Sequence, residues 1–276
     1  TLDHPHYPKV LLDLPDPPLV LYAQGHLHLL TLPALSIVGS RNATPQGLLN
    51  AEAFATHLSQ RGLCIVSGMA TGIDAAAHRG GLAEQGASIA VVGTGLDRVY
   101  PARNRALAHE LAERGLILSE FALGSPPIAG HFPQRNRIIA ALGRGCLVVE
   151  AALDSGSLIT ARQAVDIGRE IFAIPGSIHS PVSKGCHALI KSGAKLVECA
   201  DDILSELGFE CLPARAKTEL PSVAMDAVLA SLAWDPVDLD SLCERTGLTS
   251  ESLCVILLDL ELDGKVAVLA GGRYQR

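Results

Sequence analysis

Two arginine-bearing stretches in this 276-residue chain have the makings of an anion site. The first is Gly39-Ser40-Arg41, which follows the apolar run Leu35, Ile37, Val38 and precedes Thr44-Pro45. A glycine at a strand end lets the backbone turn and lie close to a ligand. Thr44 is placed to cap a helix and Pro45 to open it, so the free N–H groups of that helix and Arg41 converge on one spot. That chemistry suits phosphate; the plain alternative is an ordinary strand-to-helix turn with a surface arginine, since short glycine motifs recur by chance. The second stretch is His131-Phe132-Pro133-Gln134-Arg135-Asn136-Arg137. Pro133 is expected to open a helix, with His131 and Phe132 just before it as stacking surfaces and Arg135 and Asn136 in its first turn. Aromatic rings and arginine at a helix N-terminus suit a single-stranded nucleic-acid backbone with exposed bases. Arg135 and Arg137, two residues apart, point to different faces, and Arg137 is either a strand contact or a buried partner of Glu120 or Glu150.

Other chemistry is sparser. Ser67-Gly68 opens a loop of small residues that ends at Asp74, four residues before His78 on one helical face. A single His-Asp pair without a third group is a weak catalytic signal, so capping and local packing are expected. Ser67 lacks the Gly-x-Ser-x-Gly setting of a hydrolase nucleophile. Gly93-x-Gly95 is followed by Arg98 where a dinucleotide fingerprint needs its third glycine, and no Walker-type phosphate loop occurs. Lys184 and Lys191 can each touch phosphate or simply be solvated. The seven cysteines never form Cys-x-x-Cys and the histidines at 4, 6 and 26 are separated by prolines, so neither a metal nor a cofactor is expected.

These groups need a scaffold, and the residue pattern supplies one. From Leu35 an apolar strand, a glycine-bearing loop and a helix repeat, with strands expected at 35–38, 63–67, 88–92, 116–119, 146–149, 170–174 and 195–198. Helices are expected over 45–60, 73–85, 103–114, 134–142, 157–167 and 185–192. Such alternation means an α/β fold with a parallel, doubly wound sheet whose ligands bind beyond the strands' carboxyl ends. Residues 1–33 read as an extended lead-in, 34–207 as an extended Rossmann-like domain, 208–222 as a linker and 223–276 as a small C-terminal winged-helix domain. The third helix of that last domain is expected to expose Glu251, Asp259, Glu261 and Asp263, so a protein contact is expected there in place of DNA.

Net charge is −7, yet residues 36–197 carry fifteen Lys/Arg against eleven Asp/Glu, and 198–276 carry six against fifteen. A polyanion would meet the first block. No apolar run approaches the length of a membrane helix. The chain begins with Thr and shows no charged-then-apolar leader, so it is expected to start inside a longer product and, with its odd cysteine count, to work in a reducing cytoplasm.

Ser36-Ile-Val-Gly-Ser-Arg41, Ile65-Val-Ser-Gly-Met-Ala-Thr-Gly-Ile-Asp74, His131-Phe-Pro-Gln-Arg-Asn-Arg-Ile-Ile-Ala140 and Gly156-Ser-Leu-Ile-Thr-Ala-Arg-Gln-Ala164 together resemble the DprA family of DNA-processing proteins. Asp16-Pro-Pro-Leu-Val-Leu-Tyr22 and Gly185-Cys-His-Ala-Leu-Ile-Lys-Ser-Gly-Ala194 extend the likeness over residues 3–200. The resemblance implies a non-enzymatic, homodimeric protein of natural transformation that binds and protects incoming single-stranded DNA and loads the RecA recombinase onto it. It also implies that Gly39, Ser40, Arg41, Phe132 and the Arg135–Arg137 turn hold the strand. With the loop and lysine candidates, the expected DNA-binding set is Gly39, Ser40, Arg41, Ser67, Gly68, His131, Phe132, Arg135, Asn136, Arg137, Lys184 and Lys191. Two departures stand out. The sequence holds no counterpart of the N-terminal helical domain of many relatives, and Ile128-Ala129-Gly130 replaces a basic residue before His-Phe, so binding is expected to lean on Arg41 and Lys191. The rival reading is a Rossmann-like hydrolase of nucleoside monophosphates.

Overall fold

The structure, a computed structural model, describes residues 1–83, 87–209, 228–232, 237–262, 265–269 and 273–275. The chain divides into two units, Thr1–Glu210 and Cys211–Arg276.

The first unit is built on eight strands: β1 (Tyr22–Gly25), β2 (Ala34–Val38), β3 (Cys64–Ser67), β4 (Ser88–Val92), β5 (Leu116–Ser119), β6 (Gly145–Val148), β7 (Glu170–Ala173) and β8 (Lys195–Leu196). Their order is β1-β5-β4-β3-β2-β6-β7-β8. All neighbours from β5 to β8 are parallel. β1 is the exception, running antiparallel to β5 with Tyr22 opposite Ser119. It comes from the lead-in, which also forms two 3-10 turns, Lys9–Asp13 and Leu27–Thr31, and buries Tyr7, Leu11, Leu14 and Leu29 in the core.

Side chains of the central strands alternate between the two sheet faces, as the pleat requires. On β2, Ala34 and Val38 join one core cluster while Leu35 and Ile37 join the other. The first cluster packs under α4 (His131–Leu142), α5 (Ser157–Asp166) and α6 (Lys184–Lys191). The opposite face is covered by α1 (Pro45–Gln60), α2 (Ile73–Gly81), α3 (Arg105–Arg114) and α7 (Ala200–Glu206). Strand order reverses between β2 and β6, and a crevice opens at such a switch point beyond the strand ends.

In the second unit, β9 (Val237–Asp238), β10 (Ala267–Leu269) and β11 (Arg273–Gln275) form an antiparallel sheet ordered β10-β11-β9 beside helices Leu239–Thr246 and Ser250–Leu262. Asp238 caps the first of these by accepting from Ser241 N–H at 2.9 Å, and Gly247, with φ +68°, ends it in the left-handed conformation. Val228, Leu232, Leu242, Leu253, Ile256 and Leu260 make its core. Glu261 is exposed; the side chains of Glu251 and Asp259, Asp263 itself, and the linker from residue 210 to 222 lie outside the described residues. Among the described residues, no helix is long and apolar enough to cross a membrane.

Candidate nucleic-acid interface

Three strand ends are tied together at the switch point. Ser40 N–H donates to the Glu150 carbonyl at 2.8 Å, its own carbonyl accepts from Ile73 N–H at 3.1 Å, and Thr71 Oγ1 donates to the Arg41 carbonyl at 3.0 Å. Gly39 sits at the crossing: a Cβ there would come within 2.6 Å of Ile73 Cγ1 and 2.9 Å of the Glu150 carbonyl. The resulting cleft, of about 530 Å³, is lined by Gly39, Ser40, Arg41, Phe132, Arg135 and Asn136, with Asp74, the Asp154–Ser157 turn and Thr160.

Thr44 caps α1 as expected, its Oγ1 accepting from Gly47 N–H at 3.0 Å, with Pro45 in the first turn. The expected anion position at this helix end is already filled, however. Glu150 accepts from Thr44 N–H at 2.9 Å and from Thr44 Oγ1 at 2.5 Å, placing a carboxylate of the protein itself at the positive end of α1. A ligand anion is therefore left to Arg41. The Arg41 side chain is exposed and makes no hydrogen bond or ion pair among the described residues, and its guanidinium carbon lies 5.7 Å from the Phe132 ring centroid.

α4 starts at His131, two residues before the proline that was expected to open it, so His131 and Phe132 belong to its first turn. His131 stacks on Phe121 with centroids 3.9 Å apart, and its Nδ1 lies 3.1 Å from the Gly93 carbonyl; it fastens the helix end and does not line the cleft. Phe132 faces the cleft and meets Tyr100 at 5.6 Å. Arg135 is 4% exposed. Its Nη1 donates to the Val91 carbonyl, while Nε has no acceptor among the described residues. It lies in the space left by Gly68, where a Cβ would overlap both the guanidinium and the Asp74 carboxylate. Burial pushes the Asp74 carboxyl up, with Arg135 and the amides of Ala70 and Gly68 opposing. The same burial brings Arg135 down to about 10, which leaves it charged at neutral pH. Arg137 points the other way, into an ion pair with Glu120 at 2.6 Å and Asp16 at 3.2 Å, and it does not line the cleft.

Ser67 is buried and donates to the Ile37 carbonyl at 2.7 Å, a tie between two strands. After Gly68, Met69 takes a positive φ of 58°. Its amide donates to His78 Nε2 at 3.2 Å and its carbonyl accepts from Asn104 Nδ2 at 2.8 Å. Ser88 Oγ donates its one proton to the Ile65 carbonyl at 3.0 Å, so at 2.8 Å it must accept from His78 Nδ1–H, which leaves Nε2 free to accept from Met69. His78 thus packs neutral, and burial, followed by Arg135, pushes its pKa down from 6.5 to about 3.

Below pH 6.5 the unfolded chain binds a proton that the folded one refuses, so stability is complete above that value and declines as pH falls toward 3. The slope reaches about 1.4 kcal/mol per pH unit. Denaturant melts of wild type and His78→Asn between pH 7 and about pH 5 should show a flatter profile in the variant; parallel profiles would refute the assignment.

Lys184 donates through Nζ to the Ile178 carbonyl and Lys191 is exposed at the end of α6; neither lines the cleft. Several residues that do were not expected from the sequence: Asn42, Ala70, Asp154 and Thr160. Gly156, with no side-chain cap, occupies the N-cap position of α5, and the Ser155 and Ser157 hydroxyls pair at 2.7 Å.

A family model described as DNA recombination-mediator protein A matches residues 1–208, and one described as DprA winged helix domain matches 212–272. The chain is 42% identical to Protein Smf of Escherichia coli over 98% of its own length and 75% of that protein. It is 48% identical to DNA processing protein DprA of Streptococcus pneumoniae over 74% of its length and 72% of the relative. The solved structure of DprA from Streptococcus pneumoniae superposes with a TM-score of 0.71 at 47% identity, covering 74% of this chain and 71% of that one. A structure of DNA processing protein A from Helicobacter pylori, presented for its single-stranded DNA binding mode, does so at 0.68 and 33% identity, over 73% and 92%.

Proposed function

The chain belongs to the DNA recombination-mediator protein A family, and from that premise we propose that it is a non-enzymatic binder of single-stranded DNA. In natural transformation it protects the incoming strand in the cytoplasm and loads RecA onto it, acting as a homodimer. The observation that carries this reading is Arg41, an exposed cation with no ion partner among the described residues, set over the Phe132 ring at the rim of the switch-point cleft. A free guanidinium for phosphate beside an aromatic face for a base is the pairing that single strands need. The Helicobacter pylori relative, described as binding single-stranded DNA, supports it. For self-association the sheet edge at β8, which pairs with no further strand among the described residues and where Leu196 is exposed, is a ready surface.

Fluorescence anisotropy of a labelled oligothymidine at two salt concentrations, with duplex DNA and thymidine monophosphate as competitors, tests the reading. Salt-sensitive binding that duplex and nucleotide displace poorly is expected. Phe132→Ala should weaken it by about tenfold with an unchanged salt slope, because it removes stacking and no charge. A second reading, a hydrolase of nucleoside monophosphates, is favoured by one observation: the Asp74 carboxyl, raised by burial, lines the same cleft beside Arg135. Release of free nucleobase from thymidine monophosphate would establish it.

A further inference from the structure

Beside the large cleft lies a smaller cavity of about 130 Å³. The two share Arg41, Ala70, Phe132 and Arg135, which therefore form the wall between them, and the small cavity adds Gly68, Thr71, Tyr100, Pro101 and Arg103. Its volume equals about four waters at roughly 30 Å³ each. That is room for one heterocyclic ring.

Its lining has the two chemistries that a nucleotide presents. Tyr100 is 46% exposed and its ring lies 5.6 Å from Phe132, tilted by 41°. Pro101 adds a further apolar face. The exposed Arg103, like Arg41, makes no hydrogen bond or ion pair among the described residues, so two unengaged guanidinium groups border the cavity. Arg135, nearly fully buried and with an unpartnered Nε among the described residues, contributes to both cavities. A core-packing role explains neither an aromatic ring left half in solvent nor an arginine left without a partner beside it.

We propose that this cavity is a second nucleotide subsite, in which the base next to the one in the large cleft stacks against Tyr100 and Phe132 while Arg103 holds its phosphate. The inference rests on the single-strand reading of the large cleft. It makes the Arg41–Phe132 wall a divider over which the strand passes, one base on either side. Stacking of this kind tolerates any base, so the subsite adds affinity and direction without sequence preference.

The test compares thymidine monophosphate with a longer oligothymidine on the full chain. Tyr100→Ala should weaken the oligomer by roughly tenfold, within the range for one lost base stack, and leave the mononucleotide unchanged. Tyr100→Phe, which keeps the ring, should bind as wild type. Arg103→Ala should lower the slope of log affinity against log salt by about 0.7, one phosphate on a single strand. Should Arg41→Ala lose oligomer binding while the Tyr100 and Arg103 variants match wild type, the subsite is overturned and the single-strand reading stands. Equal losses for mononucleotide and oligomer in Tyr100→Ala would also overturn it, by merging the two cavities into one site. Failure of wild type to bind oligothymidine would remove the single-strand reading, and this inference with it.

Discussion

Arg135→Ala is expected to lose strand binding and fold stability together. The guanidinium is buried against the Val91 carbonyl and shares the empty side of Gly68 with Asp74, so its removal opens a cavity and strips a buried carboxyl of its nearest cation. Removing the cation that compensates a buried carboxyl, together with the cavity left behind, costs about 3 kcal/mol. For a unit of this size, about 3 kcal/mol lowers the melting temperature by roughly 10 °C. Calorimetry alongside anisotropy reads both effects. Arg135→Met, which restores volume without charge, separates them: recovered stability with binding still lost identifies the charge as what the strand uses. Binding recovered by Met would assign Arg135 to packing alone.

Arg41→Ala is expected to lose binding alone. The side chain is exposed and makes no hydrogen bond or ion pair among the described residues, so the melting temperature should stay within a degree or so of wild type. Affinity for oligothymidine should fall by at least about tenfold, similarly for all base sequences, with the salt slope reduced by about 0.7 for one lost phosphate contact. Arg41→Lys should keep the slope and recover only part of the affinity, since an ammonium retains the point charge but lacks the planar fork and stacks less well on an aromatic ring. An unchanged affinity in Arg41→Ala would remove the cleft rim from the binding site. From their sequence positions alone these two arginines are equivalent phosphate contacts. Their opposite burial gives them different expected phenotypes.

Some of the site was legible because its signals are local. The β2-to-α1 turn is written in Gly39, Thr44 and Pro45, whose conformational and capping preferences act within a few residues, and the structure forms that turn as those preferences require. The separation of Arg135 from Arg137 follows from helical geometry alone. The lead-in strand was not legible. Tyr22-Ala-Gln-Gly25 has neither length nor apolar alternation, and it becomes a strand because the β5 edge offers unpaired backbone groups. His131 was expected to be a stacking surface for bases; the ring of Phe121, ten residues earlier, occupies that face.

The sequence by itself determined the alternation of strand and helix, a ligand edge beyond the strands' carboxyl ends, the placement of basic residues in the first unit and the family motifs. All of these depend on spacing, composition or bonds between near neighbours. Only the tertiary structure decided what occupies each position. Glu150 fills the α1 N-terminus from 106 residues away, Gly68 and Asp74 enclose Arg135, Glu120 and Asp16 draw Arg137 aside, and Phe132 with Arg41 divides one cavity from the next. Whether a charged side chain is free to meet a ligand depends on which distant groups reach it first, and the packing of the sheet and its helices settles that.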